Sequence, residues 1–333
     1  MALPSLLEGC LRLPLVAAPM FLASGPELVI ACCKAGIVGS FPAKNQRTLE
    51  GLDEWLNTIK NEIALHDSGV LAPFAVNLIV HRSNDVIEAE VDMLVRHQVP
   101  IIITSLGAVS ELVERVHGYG GLVFHDVINL RHARKAIEAG VDGLIAVAAG
   151  AGGHTGRASP FALVNEIRQV FDGTLLLSGA MATGGDIAAA QTMGADLAYL
   201  GTRFIGTREC RAQDSYKEMI VNASLSDIVE TDRVSGVNAS FLAPSLADAG
   251  LLTGDGTTPN VDIAAELAEA LDERGEKRAW RDIWSAGQGV GSVQDLPSVD
   301  ELVSRLGAEY HAACRAQSAR TSALATDQGF NDR

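Results

Sequence analysis

The stretch TLLLSGAMATGGDIAAAQTMGADLAYLGTRF, Thr174 to Phe204, contains the unit from which the rest of the chain is built. It opens on an apolar run, TLLLSG, that is too short for a helix. An alanine-rich, helix-patterned segment follows, and a second apolar run, LAYLGTRF, closes it. Each run ends on a glycine beside a hydroxyl residue, Ser178–Gly179 in the first and Gly201–Thr202 in the second. Short aliphatic runs of this kind read as parallel strands buried on both faces.

Upstream the same unit recurs. LPLVAAPM (13–20), AGIVGSF (35–41), PFAVNLI (73–79), VPIIITS (99–105), GLVFHDV (121–127) and VDGLIAVA (141–148) bring the strand-like runs to eight. Helix-patterned segments such as GPELVIACCKAG and LRHARKAIEAG lie between them. Strict alternation gives an open doubly wound sheet or a closed barrel. Eight units match an α/β fold of the (β/α)8 TIM-barrel type. Polar or glycine residues stand just after the strands: Met20, Asn77, Ser105, His125, the glycines of 150–156, Ser178 and Gly201–Thr202. A barrel gathers them at one mouth, whereas an open sheet spreads them along an edge. The barrel is therefore expected over 1–205. The pattern then changes, and 206–284 reads as a smaller helical cap and substrate region containing TRECRAQDSYKEMIVNA and IAAELAEALDERG. A terminal helix over 285–315 returns to the barrel, and 316–333 reads as a flexible tail.

Composition narrows the function. A net charge of −15 repels phosphate backbones, which excludes nucleic acid as a partner. No apolar run approaches the roughly 20 residues of a membrane helix, so no membrane partner is expected. The N-terminal residues lack a signal-peptide pattern. The five cysteines, Cys10, Cys32, Cys33, Cys210 and Cys314, form no C-x-x-C pair. A disulfide framework or a metal site is not expected, and the cytoplasm is the expected location.

VAAGAGGHTG, Val147 to Gly156, follows the sixth run. Its glycines do not have the G-x-G-x-x-G dinucleotide spacing, and no lysine follows them as a Walker loop requires. Barrels often bind phosphate at the loops after strands seven and eight, where this chain has Ser178, Gly179, Gly201 and Thr202. Asp126 and Asp142 read as turn or helix-cap residues, Cys210 as a packed thiol, and Arg203 and Arg208 as partners of surface carboxylates. His66, His81, His97, His117, His132 and His311 read as surface or structural histidines.

AAPM (17–20), FAVNL (74–78), AGAGGHTG (149–156) and the opening stretch, in that order over about residues 13–210, resemble the nitronate monooxygenase (2-nitropropane dioxygenase-like) family. The resemblance implies an FMN-bound TIM barrel. Ala18, Pro19 and Met20 would lie against the flavin through their backbone, and Asn77 would hydrogen-bond the isoalloxazine edge. Ser178, Gly179, Gly201 and Thr202 would hold the FMN phosphate. Gly152 and Gly153 would let the chain pass close to flavin and substrate, with His154 as the general base. His125 stands where many relatives have lysine or glutamine, and is a flavin ligand or a second polar substrate group. Ala180 and Met181 narrow a loop that usually carries more glycine. The implied activity is oxidation of alkyl nitronates and nitroalkanes by dioxygen, on a small-molecule substrate. The alternative is an NAD(P)H-dependent FMN reductase of quinones or enoyl thioesters, and a flavin-free binding barrel is a third class. A homodimer is compatible with each.

Overall fold

The structure, a computed structural model, describes residues 3–67, 69–80, 84–234, 236–252 and 281–323. Nine strands span the first 200 residues: β1 (Leu15–Ala17), β2 (Gly39–Pro42), β3 (Phe74–Ile79), β4 (Ile101–Ser105), β5 (Leu122–Val127), β6 (Gly143–Val147), β7 (Gly153–His154), β8 (Thr174–Ser178) and β9 (Leu197–Leu200). All except β7 join one parallel sheet in the order β1-β9-β8-β6-β5-β4-β3-β2. A parallel bridge between Val16 and Val38 closes the ring. There Ala17 N–H donates to Val38 O at 2.8 Å and Val38 N–H to Leu15 O at 3.2 Å. All eight runs read from the sequence are strands of this TIM barrel.

Side chains alternate along each strand. Ala75, Ile101, Ile103, Phe124, Ile145, Leu176 and Leu197 pack inside the ring. Their neighbours Val76, Ile102, Val123, Leu144 and Leu177 face outward and meet the helices. Both faces are thus apolar, which is why the runs show no polar alternation. The surrounding helices are α1 (Pro26–Lys34), α2 (Leu49–Ala64), α3 (Ile87–Arg96), α4 (Ser110–His117), α5 (Leu130–Glu138), α6 (Pro160–Arg168) and α7 (Gly184–Met193). Several starts are fixed by local chemistry. Asn129 Oδ1 accepts from His132 N–H at the start of α5. Thr183 and Asp186 form a reciprocal capping box on α7.

Beyond β9 come α8 (Thr202–Ile205), α9 (Asp214–Asn222), β10 (Ile228–Thr231), β11 (Ala239–Leu242), α10 (Ala243–Asp248) and α11 (Val299–Ala323). The segment read as a helical cap thus carries two strands besides its helices. β10, β11 and β7 form a small antiparallel sheet in which β11 is the centre. IAAELAEALDERG lies outside the described residues. α11 crosses α7 at Gly184, where an added Cβ would lie 2.1 Å from Leu306 O. Its helix continues to Ala323, with residues 314–323 exposed, while 324–333 lie outside the described residues. No helix among the described residues is long and apolar enough to cross a membrane.

Candidate active site

Barrel strands end on a common face, and there a cavity of about 720 Å³ opens. Ala18, Pro19, Met20, Asn77, His125, Gly152, Gly153, His154, Ser178, Gly179, Gly201 and Thr202 all border it. Eight strand ends separated by up to 180 residues of sequence therefore converge as a barrel requires.

The floor follows from strand alternation. Asn77, Ser105, Asp126, Ser178 and Tyr199 each lie two residues past an inward core residue, so they point inward one layer higher. Asn77 Nδ2 donates to Ile103 O at 3.1 Å and to Ser105 Oγ at 2.8 Å. Ser105 Oγ donates in turn to Asp126 Oδ2 at 2.5 Å. Both amide protons of Asn77 are thereby used, and its carbonyl oxygen remains to accept from a ligand. Asp126 Oδ1 is buried without a partner. Burial pushes the Asp126 carboxyl up to about 6, against the Ser105 hydrogen bond. The Tyr199 hydroxyl is also pushed up, by burial and then by the Asp126 carboxylate.

Asp126, read as a turn or helix-cap residue, instead has its carboxyl inside the barrel, hydrogen-bonded to Ser105. Counting by two from Phe124 would have placed it inside. Asp142 ties neighbouring elements together instead of serving a turn, accepting from Val123 N–H of β5 at 2.8 Å and lying 2.9 Å from His117 Nε2. His125 has the opposite parity to Asp126. Its Nδ1 is 2.7 Å from Thr104 Oγ1, whose hydroxyl donates to Phe124 O. It reaches the cavity from the outward side of β5. Burial, with a contribution from His132, lowers the His125 pKa to about 4.

This histidine carries a pH prediction. A folded pKa below the ordinary 6.5 makes stability complete above about pH 6.5, and it is lost as pH falls through about 4. Asp126, with its raised pKa, acts in the opposite sense, so a variant must isolate the histidine. In urea unfolding at pH 7 and pH 5, wild type should lose about 2 kcal/mol more than His125→Gln over that interval. Equal losses in the two proteins would remove His125 as the source.

The glycine-rich loop owes its composition to a close backbone crossing. Segment 285–289 passes directly over it: Gln288 N–H donates to Gly150 O at 2.9 Å. A Cβ on Gly152 would lie 2.8 Å from Gly287 N, and one on Gly287 would lie 2.6 Å from Gly150 O. Gly287 N–H also donates to Thr202 Oγ1 at 2.9 Å. His154 follows on β7, paired with Ala239 of β11. Its side chain opens into the cavity while protein surrounds it on the other sides, and this burial lowers its pKa to about 4. The imidazole is therefore neutral at pH 7.

Adjoining the glycine-rich loop, the loops after β8 and β9 form a cradle of Ser178, Gly179, Gly201 and Thr202 at the cavity rim. Gly179 has φ +131°, and an added Cβ would lie 2.8 Å from Ala149 O. Gly201 has ordinary φ and space, its nearest neighbours being Ala18 and Met20 at 3.8 Å. Thr202 opens α8, whose first N–H groups have no intrahelical acceptor. Ser178, turned inward, adds a hydroxyl. Together these fit a single phosphate monoester, with the Asn77 carbonyl oxygen available for a ring N–H. Among the described residues no group of three or more His, Cys, Asp or Glu side chains is placed to hold a metal ion.

The family model described as nitronate monooxygenase matches residues 80–309, more than half of the chain. The chain belongs to the nitronate monooxygenase family. It is accordingly an oxidoreductase. A nitronate monooxygenase from Paraburkholderia phytofirmans is 26% identical, over 89% of this chain and 92% of its own. A (3aS,4S,5R,7aS)-5-hydroxy-7a-methyl-1-oxo-octahydro-1H-indene-4-carboxyl-CoA dehydrogenase from Rhodococcus jostii is 25% identical over the same shares. The solved nitroalkane oxidase from Streptomyces ansochromogenes has this fold, with a TM-score of 0.77 at 24% identity, covering 94% of this chain and all of that one.

Outside the mouth, this family member uses its remaining singled-out residues for packing. Arg203 meets Asp295 at 3.1 Å and Arg208 meets Glu301 at 3.0 Å. Cys210 is buried, lies 3.4 Å from Ala23 O, and has its thiol pushed up to about 11. His132, read as a surface or structural histidine, borders the cavity.

Proposed function

We propose that this nitronate monooxygenase family member is an FMN-dependent enzyme that oxidises alkyl nitronates and nitroalkanes with dioxygen. The observation that carries the reading is the juxtaposition of His154 with the cradle of Ser178, Gly179, Gly201 and Thr202 in one cavity. Bound FMN would accept electrons from the substrate and pass them to dioxygen. The chain's own residues do the rest. The cradle anchors the phosphate, the 18–20 backbone and Asn77 orient the ring system, and apolar walls restrict water.

His154 acts on neutral substrates. Its unprotonated imidazole accepts the proton from the carbon next to the nitro group. The resulting imidazolium and the nitronate carry opposite charges in a poorly solvated cavity, so each stabilises the other. A preformed nitronate bypasses this step.

A second reading, NAD(P)H-dependent reduction of quinones or enoyl thioesters, draws on the carboxyl-CoA dehydrogenase relative. Anaerobic stopped-flow mixing separates the two. On the oxidase reading, a nitronate bleaches the flavin quickly while NADH and NADPH do so slowly. Fast bleaching by a nicotinamide, with no response to nitronate, would overturn the oxidase reading in favour of the reductase.

A further inference from the structure

The cavity of about 720 Å³ extends past its polar floor to an open mouth. One wall there is apolar. Leu106 and Ile128 border it and are 51% and 41% exposed, unusual for large aliphatic side chains next to a site. Beside them α5 contributes His132 and Lys135 to the lining. Residues three and four apart share a helix face, so Arg131 stands with them. Its Nη2 lies 3.4 Å from His132 Nε2.

Among the described residues no carboxylate pairs with Arg131 or Lys135. Yet the chain holds 41 acidic residues against 26 basic ones, so a carboxylate partner for this helix face would have been easy to supply. The His132 imidazole is held below its ordinary pKa by burial and then by Arg131 and Lys135, a repulsion that an arriving anion would relieve. The place is also separate from the phosphate cradle: around the ring β5 is two strands from β8 and three from β9.

We propose that Lys135, His132 and Arg131 form an anion subsite at the cavity mouth that binds a phosphate on an amphipathic ligand. The ligand's apolar body lies along Leu106 and Ile128, and its charged tail lies on α5. Two molecules carry such a phosphate: the nucleotide tail of an acyl thioester and the diphosphate of a nicotinamide donor. The subsite is read from binding alone, so it stands or falls independently of the oxidase reading above.

The test is calorimetric titration of the flavin-loaded protein at low salt with coenzyme A and, separately, with NADPH. Arg131→Ala/Lys135→Ala should weaken at least one of them by about tenfold or more, because two charge-assisted contacts to the phosphate are lost. Arg320→Ala, which removes an exposed cation on α11 away from the cavity, should stay within twofold of wild type. Weakening with coenzyme A alone identifies the thioester tail; weakening with NADPH alone identifies the donor; weakening with both identifies a shared phosphate site. The proposal is overturned if neither ligand binds the wild type, if the double variant binds both as wild type does, or if Arg320→Ala weakens binding as much.

Discussion

Gly179→Val protein should be purified colourless, with no FMN released on denaturation, while wild type is yellow. A valine at φ +131° is strained by itself, and its Cβ would sit 2.8 Å from Ala149 O. The neighbouring glycine supplies the contrast. Gly201→Ala places its methyl at ordinary contact distance from Ala18 and Met20, so it should retain flavin. A bulkier residue there would meet Met20 and displace it. Should the valine variant fold poorly, Gly179→Ala can be titrated with FMN instead, and a circular dichroism spectrum shows whether the barrel has formed. Flavin content equal to wild type in both Gly179 variants would remove the cradle from the phosphate site.

His154→Ala should keep its flavin and lose turnover of neutral nitroalkanes by 10²- to 10⁴-fold, the usual contribution of general acid–base catalysis. Preformed nitronates should lose far less, because their proton has already gone. The pH profile gives a second readout. A base must be unprotonated to act, so kcat/KM for a neutral nitroalkane should hold as pH falls below 6.5 and decline only near pH 4. Equal small losses on both substrate types would show that His154 does not take the proton.

Much of this architecture was legible in the sequence because a barrel leaves a local signature. Each strand is a short aliphatic run, and each is followed by its own helix. The residues just after those runs had to meet at one mouth, and they do. What could not be read depends on partners far away in sequence. Gly152 is glycine because segment 285–289 crosses it, more than 130 residues later. β7 has only two residues, so no periodicity could announce it, and its partner β11 lies in the segment read as a helical cap. Asp126 is a different case. Its inward parity was available from Phe124, two residues earlier, against its reading as a turn or cap residue. Lys135 was hidden for a similar reason, since a basic helix face reads as solvated surface until the cavity beside it is seen.

The pairing of Gly153–His154 with Ala239–Ser240 limits how this protein can be re-engineered. The cap is not a module that can be exchanged for a relative's to change substrate range. Its central strand is also a splint for the backbone that carries His154, and Thr155 N–H donates to Asn238 O on the same edge. A chimera cut after the barrel would inherit a new specificity surface and, with it, a differently placed imidazole. Transplants should therefore carry residues 153–155 and 238–242 together as one cassette, and substrate swaps that leave this seam untouched should preserve the turnover of the parent.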